Sequence, residues 1–212
     1  MIYVLFIVLC FPMLINAESI GNWMMYIGNN PISEKYSLWN EIQYRDRRVL
    51  GDFTQLIVRT GLNYSLSNEA QVLLGYAYIF ADPTESSYHE HRLFQQGIHR
   101  HAISSLGIQH RVRLEERFVE EKDMSIRLRY LLGTTYPLNM HAMNTGAIYA
   151  SAFNEIFLNM AGSTFDRDRI YGAIGYQWSP YIRTELGYMS QITSQTTQNQ
   201  LQIAIFTNNP WF

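Results

Sequence analysis

A chain of 212 residues is long enough for one domain with its own core. Its 16 basic and 18 acidic side chains leave a formal net charge of -2, which excludes the strongly basic surface of a nucleic-acid-binding protein. Cys10 is the only cysteine, so neither a disulfide framework nor a zinc thiolate cluster is available, and 15 tyrosines with 11 phenylalanines lean the composition towards strands.

The chain opens on "MIYVLFIVLCFPMLINA", a short apolar core ending in Ala17. It is too short and too poorly flanked for a membrane helix and reads as a signal peptide over 1–17, followed by a single domain over 18–212. Cleavage after Ala17 would leave a mature chain without cysteine, which suits an oxidising envelope compartment.

From there the hydrophobic period is two. Eleven segments are predicted as strands, near 21–28, 35–46, 53–65, 70–81, 89–101, 106–119, 124–135, 146–159, 167–178, 181–192 and 198–207. In "TQLIVRTGLNY" Gln55, Arg59, Gly61 and Asn63 oppose Leu56, Val58, Leu62 and Tyr64. In "QHRVRLEERF" Arg111, Arg113, Glu115 and Arg117 oppose Val112, Leu114 and Phe118. Helical spacing would scatter these arginines around a cylinder, so a helical reading fails.

Two architectures can use such strands. A soluble sandwich or lipocalin-like barrel turns the apolar face inward; a transmembrane barrel turns it to lipid and hides the polar face in its lumen. Two features favour the antiparallel transmembrane β-barrel, of about 10–12 strands. The polar face interleaves arginine and glutamate with Gly61, Gly75, Gly133, Gly175 and Gly187, which would leave room for long charged neighbours. Lysine is scarce there, whereas arginine's rigid fork suits pairing in a confined space. Segments ending at "PWF" also fit a terminal aromatic at the periplasmic edge. Counting back from that end, the final ten strands close consistently, with loops such as "DPTESSYHE" outside and "ISSLG" inside. "GNWMMYIG" is then left over, because bacterial single-chain barrels have an even number of strands.

The motifs "GNWMMYIGN", "WNEIQYR", "LIVRTGLNY", "LLGYAYI", "HEHRLFQQ", "QHRVRLEERF", "RLRYLLG", "NEIFLN", "FDRDRIYGAIGY" and "TELGYMSQ" follow in order across residues 21 to about 206. In this ordered set the chain resembles the DUF2490 family of bacterial envelope proteins. The resemblance implies a signal-bearing outer-membrane barrel of a Gram-negative, Bacteroidetes-like bacterium, in contact with outer-membrane lipid and assembled by the barrel-assembly machinery. It leaves the biochemical activity unassigned.

With the period fixed, the expected lumen network is Glu41, Arg45, Arg59, Glu90, Arg92, Arg111, Arg113, Glu115, Arg117, Arg127, Arg129, Glu155, Arg167, Arg169, Arg183 and Glu185. Facing lipid near the midplane, an arginine would cost about 2–4 kcal/mol. Two functional readings follow: an electrostatic plug of clasped carboxylates and guanidinium groups, or a narrow pore whose excess arginine attracts small anionic solutes. Enzymatic activity is not expected, although a lipid-modifying enzyme is a further alternative. His89 and His91 in "YHEHRLF" share a face but lack a third ligand nearby, and there is no serine elbow, HExxH or phosphate-cradling loop. No cofactor, metal or nucleic acid is expected.

Overall fold

The computed structural model describes residues 20–48, 51–82 and 86–209. The expected signal peptide over 1–17, with Cys10, and the terminal "PWF" at 210–212 lie outside the described residues. Eleven strands form one closed sheet: β1 (Ile20–Pro31), β2 (Tyr36–Asp46), β3 (Phe53–Ser65), β4 (Ala70–Ala81), β5 (Tyr88–Ile103), β6 (Leu106–Val119), β7 (Ser125–Pro137), β8 (Ile148–Asn159), β9 (Phe165–Ser179), β10 (Ile182–Ile192) and β11 (Thr197–Thr207). Each strand pairs antiparallel with its sequence neighbours, as short connections require.

The leftover first segment is corrected by the closure. β1 is a full barrel strand, antiparallel to β2 from Asn22 to Pro31 and parallel to β11 from Ile20↔Asn199 to Gly28↔Thr207. The physical reason is simple parity. Eleven strands that each reverse the last leave the first and last pointing the same way, and only a parallel ladder can then remove both edges. One end of the barrel, here the loop end, therefore carries the start of β1 and the connections 47–52, 82–87, 120–124, 160–164 and 193–196. The opposite turn end carries 32–35, 66–69, 104–105, 138–147, 180–181 and the end of β11.

The alternation decides which face meets the lumen. Val58, Leu62, Leu74, Leu93, Val112, Ile170, Ile174, Leu186 and Ile203 are all exposed on the outer wall. Aromatics gather towards its borders: Tyr44, Phe53, Phe80 and Phe118 near the loop end, and Tyr64, Tyr136, Tyr176 and Trp178 near the turn end. The wall is not wholly apolar. Glu116 accepts a hydrogen bond from Gln95 Nε2 at 3.3 Å, and Asp168 one from Asn154 Nδ2 at 2.7 Å, so each outward carboxylate has an amide partner on the adjacent strand.

Nor is the interior wholly polar. Trp39, Ile57, Leu73, Ala77, Ile79, Ala81 and Phe94 form one buried apolar cluster, and Trp23, Tyr171 and Met189 a second. Three of the five inward glycines serve aromatic rings, and the other two lie against backbone or leucine, not, as expected from sequence, the long charged side chains. A Cβ on Gly75 would lie 2.3 Å from Phe94 Cζ, on Gly175 2.2 Å from Tyr149 Cζ, and on Gly187 2.5 Å from Tyr171 Cε2. Each ring lies flat over the bare backbone of the neighbouring strand, filling a narrow lumen at close packing.

Gly175→Ala is expected to lower unfolding stability by about 1–3 kcal/mol through overpacking against Tyr149. Gly172→Ala on the same strand, where a Cβ meets nothing within 4 Å, serves as the control and should not destabilise. Chemical denaturation of the two variants in one detergent measures the difference.

Candidate functional site: an arginine-lined lumen

Arginine occurs on the strands only where the alternation points inward. Arg45, Arg59, Arg92, Arg100, Arg111, Arg113, Arg117, Arg127, Arg129, Arg167, Arg169 and Arg183 share the inner face, while Lys35, Arg47, Arg48 and Lys122 lie in connections. The ladder register then determines which of them can meet. Glu115 sits opposite Arg127, and Arg113 opposite Arg129, across β6 and β7; Glu155 sits opposite Arg169 across β8 and β9.

Two carboxylates act as hubs. Glu115 holds Arg127 Nη2 at 2.6 Å and Arg129 Nη1 at 2.6 Å, with Arg113 at 3.7 Å and Arg92 at 3.9 Å. Glu155 holds Arg129 Nη2 at 2.7 Å and Arg111 Nη2 at 2.8 Å, with Arg169 at 3.8 Å. Glu90 is gripped by Arg92 at 2.7 Å and Arg117 at 2.6 Å. Asp166 joins Arg127 at 2.9 Å to Arg167 at 3.1 Å. Because Arg92, Arg127 and Arg129 each bridge two carboxylates, the pairs form one connected network from β5 to β9. Charged hydrogen bonds of this length are stronger than neutral ones, and the guanidinium fork lets one side chain serve two acceptors.

The remaining expected members stand apart. Glu41 pairs with Arg59 and receives Gln43, and Gln43 in turn accepts from Arg45 Nη2 at 2.8 Å. Arg45 makes no ion pair among the described residues. It lies 3.7 Å above the Trp23 ring, with Nε lacking a partner. Glu185 accepts from Tyr149 Oη at 3.2 Å and Tyr171 Oη at 3.1 Å rather than from arginine, and Arg183 stacks 4.5 Å from the Phe206 ring. Both point inward, but outside the connected network. The expectation that Glu185 joins the arginine network is thereby corrected: the glycine-cradled tyrosines reach it first.

Several members carry no charge signal and were missed by the sequence reading. Phe157 presents its face to Arg129 at 4.3 Å, Arg169 at 4.6 Å and Arg127 at 5.2 Å, supplying the negative quadrupole of a ring where carboxylates run short. It lies two residues from Glu155, so strand alternation alone would have placed it inside. Gln96 accepts from Arg113 Nε at 2.8 Å and Gln191 from Arg169 Nε at 2.9 Å, again from inward positions. Asp166 could not have been found this way, because a register shift between Phe157 and Leu158 displaces it from the simple alternation.

Above the network, towards the loop end, lies a cavity of about 80 Å³. Arg45, Arg59, Arg92, Arg117, Arg127, Arg129, Arg167 and Arg169 line it, together with the single carboxylate Glu90 and with Gln55, Ile57, Tyr88 and Phe157. Below the cavity, the side chains pack closely. Arg113, Phe94 and Tyr149 are each at most 1% exposed.

The five histidines on strands lie on the outer wall. His89 Nδ1 meets Tyr78 Oη at 2.7 Å and His91 Nδ1 meets Tyr76 Oη at 2.6 Å. His99, His101 and His110 stack on one another near the turn end, His110 also meeting Tyr130 Oη at 2.8 Å. Among the described residues no group of three or more His, Cys, Asp or Glu side chains is arranged to hold a metal ion.

No curated protein and no solved structure matches the chain. Residues 20–202 match the family described as "Protein of unknown function (DUF2490)", a span running from the first barrel strand into the last. The sequence motifs, the closed barrel that carries them and this match together place the chain in the DUF2490 family.

Proposed function

We propose that the chain is an outer-membrane β-barrel of a Gram-negative envelope whose lumen is plugged by its own arginine–carboxylate network, a structural role rather than an enzymatic one. The observation that carries this reading is the connected network from β5 to β9, anchored on Glu115 and Glu155, each no more than 2% exposed. Ion pairs spread along separate strands would line a channel; pairs that share arginines across five strands tie the walls together through the lumen.

Support for the membrane comes from the outer wall. Apolar residues face outward along the strands with aromatics towards their ends, and no strand arginine lies on that face. Outward Glu116 and Asp168 are tolerable there because carboxylates cost less than arginine or lysine at such positions and each has an amide partner. In this reading the loop end faces outside, the turn end faces the periplasm, the assembly machinery inserts the barrel, and a leader ending at Ala17 is removed. His89 and His91 have their Nδ1 atoms engaged by tyrosine hydroxyls, which fits an interfacial role better than a nucleophile–base pair.

A second reading, a narrow anion-favouring channel, draws on the arginine excess around the loop-end cavity. Planar-bilayer recording separates the two. The plug predicts no steady conductance from the purified barrel, whereas a stable anion-selective current would establish the channel instead.

Two substitutions test the parts. Ile174→Arg, on the outer wall, is expected to cost about 2–4 kcal/mol of unfolding stability in lipid vesicles. A protein that folds in plain buffer without detergent and tolerates this change would defeat the membrane assignment. Glu115→Ala strands four neighbouring guanidinium groups and should cost about 3–5 kcal/mol, less where water enters. Glu121→Ala, in the 120–124 connection, should leave stability unchanged. Equal unfolding of these two variants in the same detergent would show that the network is not structural.

A further inference from the structure

We propose that the arginine-lined cavity at the loop end is a binding site for one oxyanion of the phosphate class, which it holds rather than passes through the barrel. The argument begins with charge. Ten inward guanidinium groups, those lining the cavity together with Arg111 and Arg113, share Glu41, Glu90, Glu115, Glu155 and Asp166 among the described residues. A guanidinium keeps its proton where an ammonium or imidazole would give one up, so the surplus cannot be relieved by deprotonation. Rings and glutamine oxygens soften it without cancelling it.

Arg45 shows where the deficit is sharpest. It is 8% exposed, has no carboxylate partner among the described residues, and lines the cavity with Nε unsatisfied. A buried polar nitrogen left without an acceptor costs about 1–3 kcal/mol, more when charged, and an anion in the cavity would remove that cost.

Size and shape narrow the occupant. At roughly 10–15 Å³ per water, the 80 Å³ cavity holds on the order of five waters or one tetrahedral oxyanion. Donors come from β2, β3, β5, β6, β7 and β9, that is, from most of the way round the wall. A carboxylate would present two oxygens to one side of that ring, whereas a phosphate presents acceptors in every direction and carries more charge. Ile57 and Phe157, 2% and 1% exposed, close the inner side. Arg117 and Arg167, with side chains 20% and 27% exposed, mark the open side. The ligand is therefore a free phosphate ion or the phosphate of a lipid headgroup reaching in from the loop end. The site itself does not depend on the membrane assignment, and bilayer conductance tests the plug separately.

The test uses the full folded chain in dodecyl maltoside micelles, dialysed free of phosphate and titrated with inorganic phosphate in a calorimeter at ionic strength fixed with sodium chloride. Saturable binding near one ion per chain is expected, with a raised unfolding temperature. Arg45→Gln should weaken binding about tenfold or more, yet in phosphate-free buffer should unfold at no lower temperature than the parent, because it removes an uncompensated charge. Arg45→Lys, which keeps the charge and loses the fork, should fall between the two. Arg183→Gln, at the turn end and also without a carboxylate partner among the described residues, should bind phosphate as the parent does. Micelles doped with phosphatidic acid, compared with phosphatidylcholine, distinguish the source: saturation by the doped lipid alone assigns the headgroup, and saturation by inorganic phosphate assigns the free ion. The proposal is overturned if neither form binds beyond the chloride control, or if Arg45→Gln and Arg183→Gln weaken binding alike.

Discussion

Closure of the sheet crowds the inward arginines together, and the five carboxylates that meet nine of them are what makes that closure tolerable. The energetics of such a site are asymmetric. A complete buried pair is nearly neutral against an apolar alternative, but a broken one leaves a charge with nowhere to go. The barrel wall and the network therefore depend on each other: the ladder register brings Glu115 opposite Arg127 and Glu155 opposite Arg169, and those contacts hold the ladders in that register. A slip of one residue on β6 would turn Arg111, Arg113, Glu115 and Arg117 outward together.

Aromatic side chains complete what carboxylates begin. Trp23 beneath Arg45 and Phe157 among the arginines of β7 and β9 offer ring faces to cations, while Phe94, Tyr149 and Tyr171 use glycine backbones as seats. The interior is thus neither an oily core nor a wet channel. Two apolar clusters pack beside the ionic network, which grades into a small cationic cavity at the loop end. That cavity gives the loop end a chemistry of its own.

Odd strand number adds a second asymmetry. The parallel β1–β11 ladder sends the chain into the barrel at the loop end and out at the turn end, whereas an even count would return both to one side. Trp23 on β1 then supports Arg45 on β2, so the strand that seemed superfluous to the lumen supplies one of its platforms.

Much of this was written in local periodicity. A strand exposes alternate residues to opposite faces, so the placement of Arg59, Arg113, Glu115 or Ile174 follows from the order of residues alone, as do the eleven strands themselves. What period two cannot encode is distance around the closed sheet. That Glu155 shares Arg129 with Glu115, that Glu185 is claimed by Tyr149 and Tyr171, and that Asp166 enters through a register shift all depend on barrel closure and ladder offsets set by the whole chain. The parallel seam is of the same kind: parity could be counted from the sequence, but only closure in three dimensions shows that the first strand meets the last. The sequence determined which side chains go inside; the tertiary structure decided which of them meet, and set Arg45 against the loop-end cavity with no ion pair among the described residues.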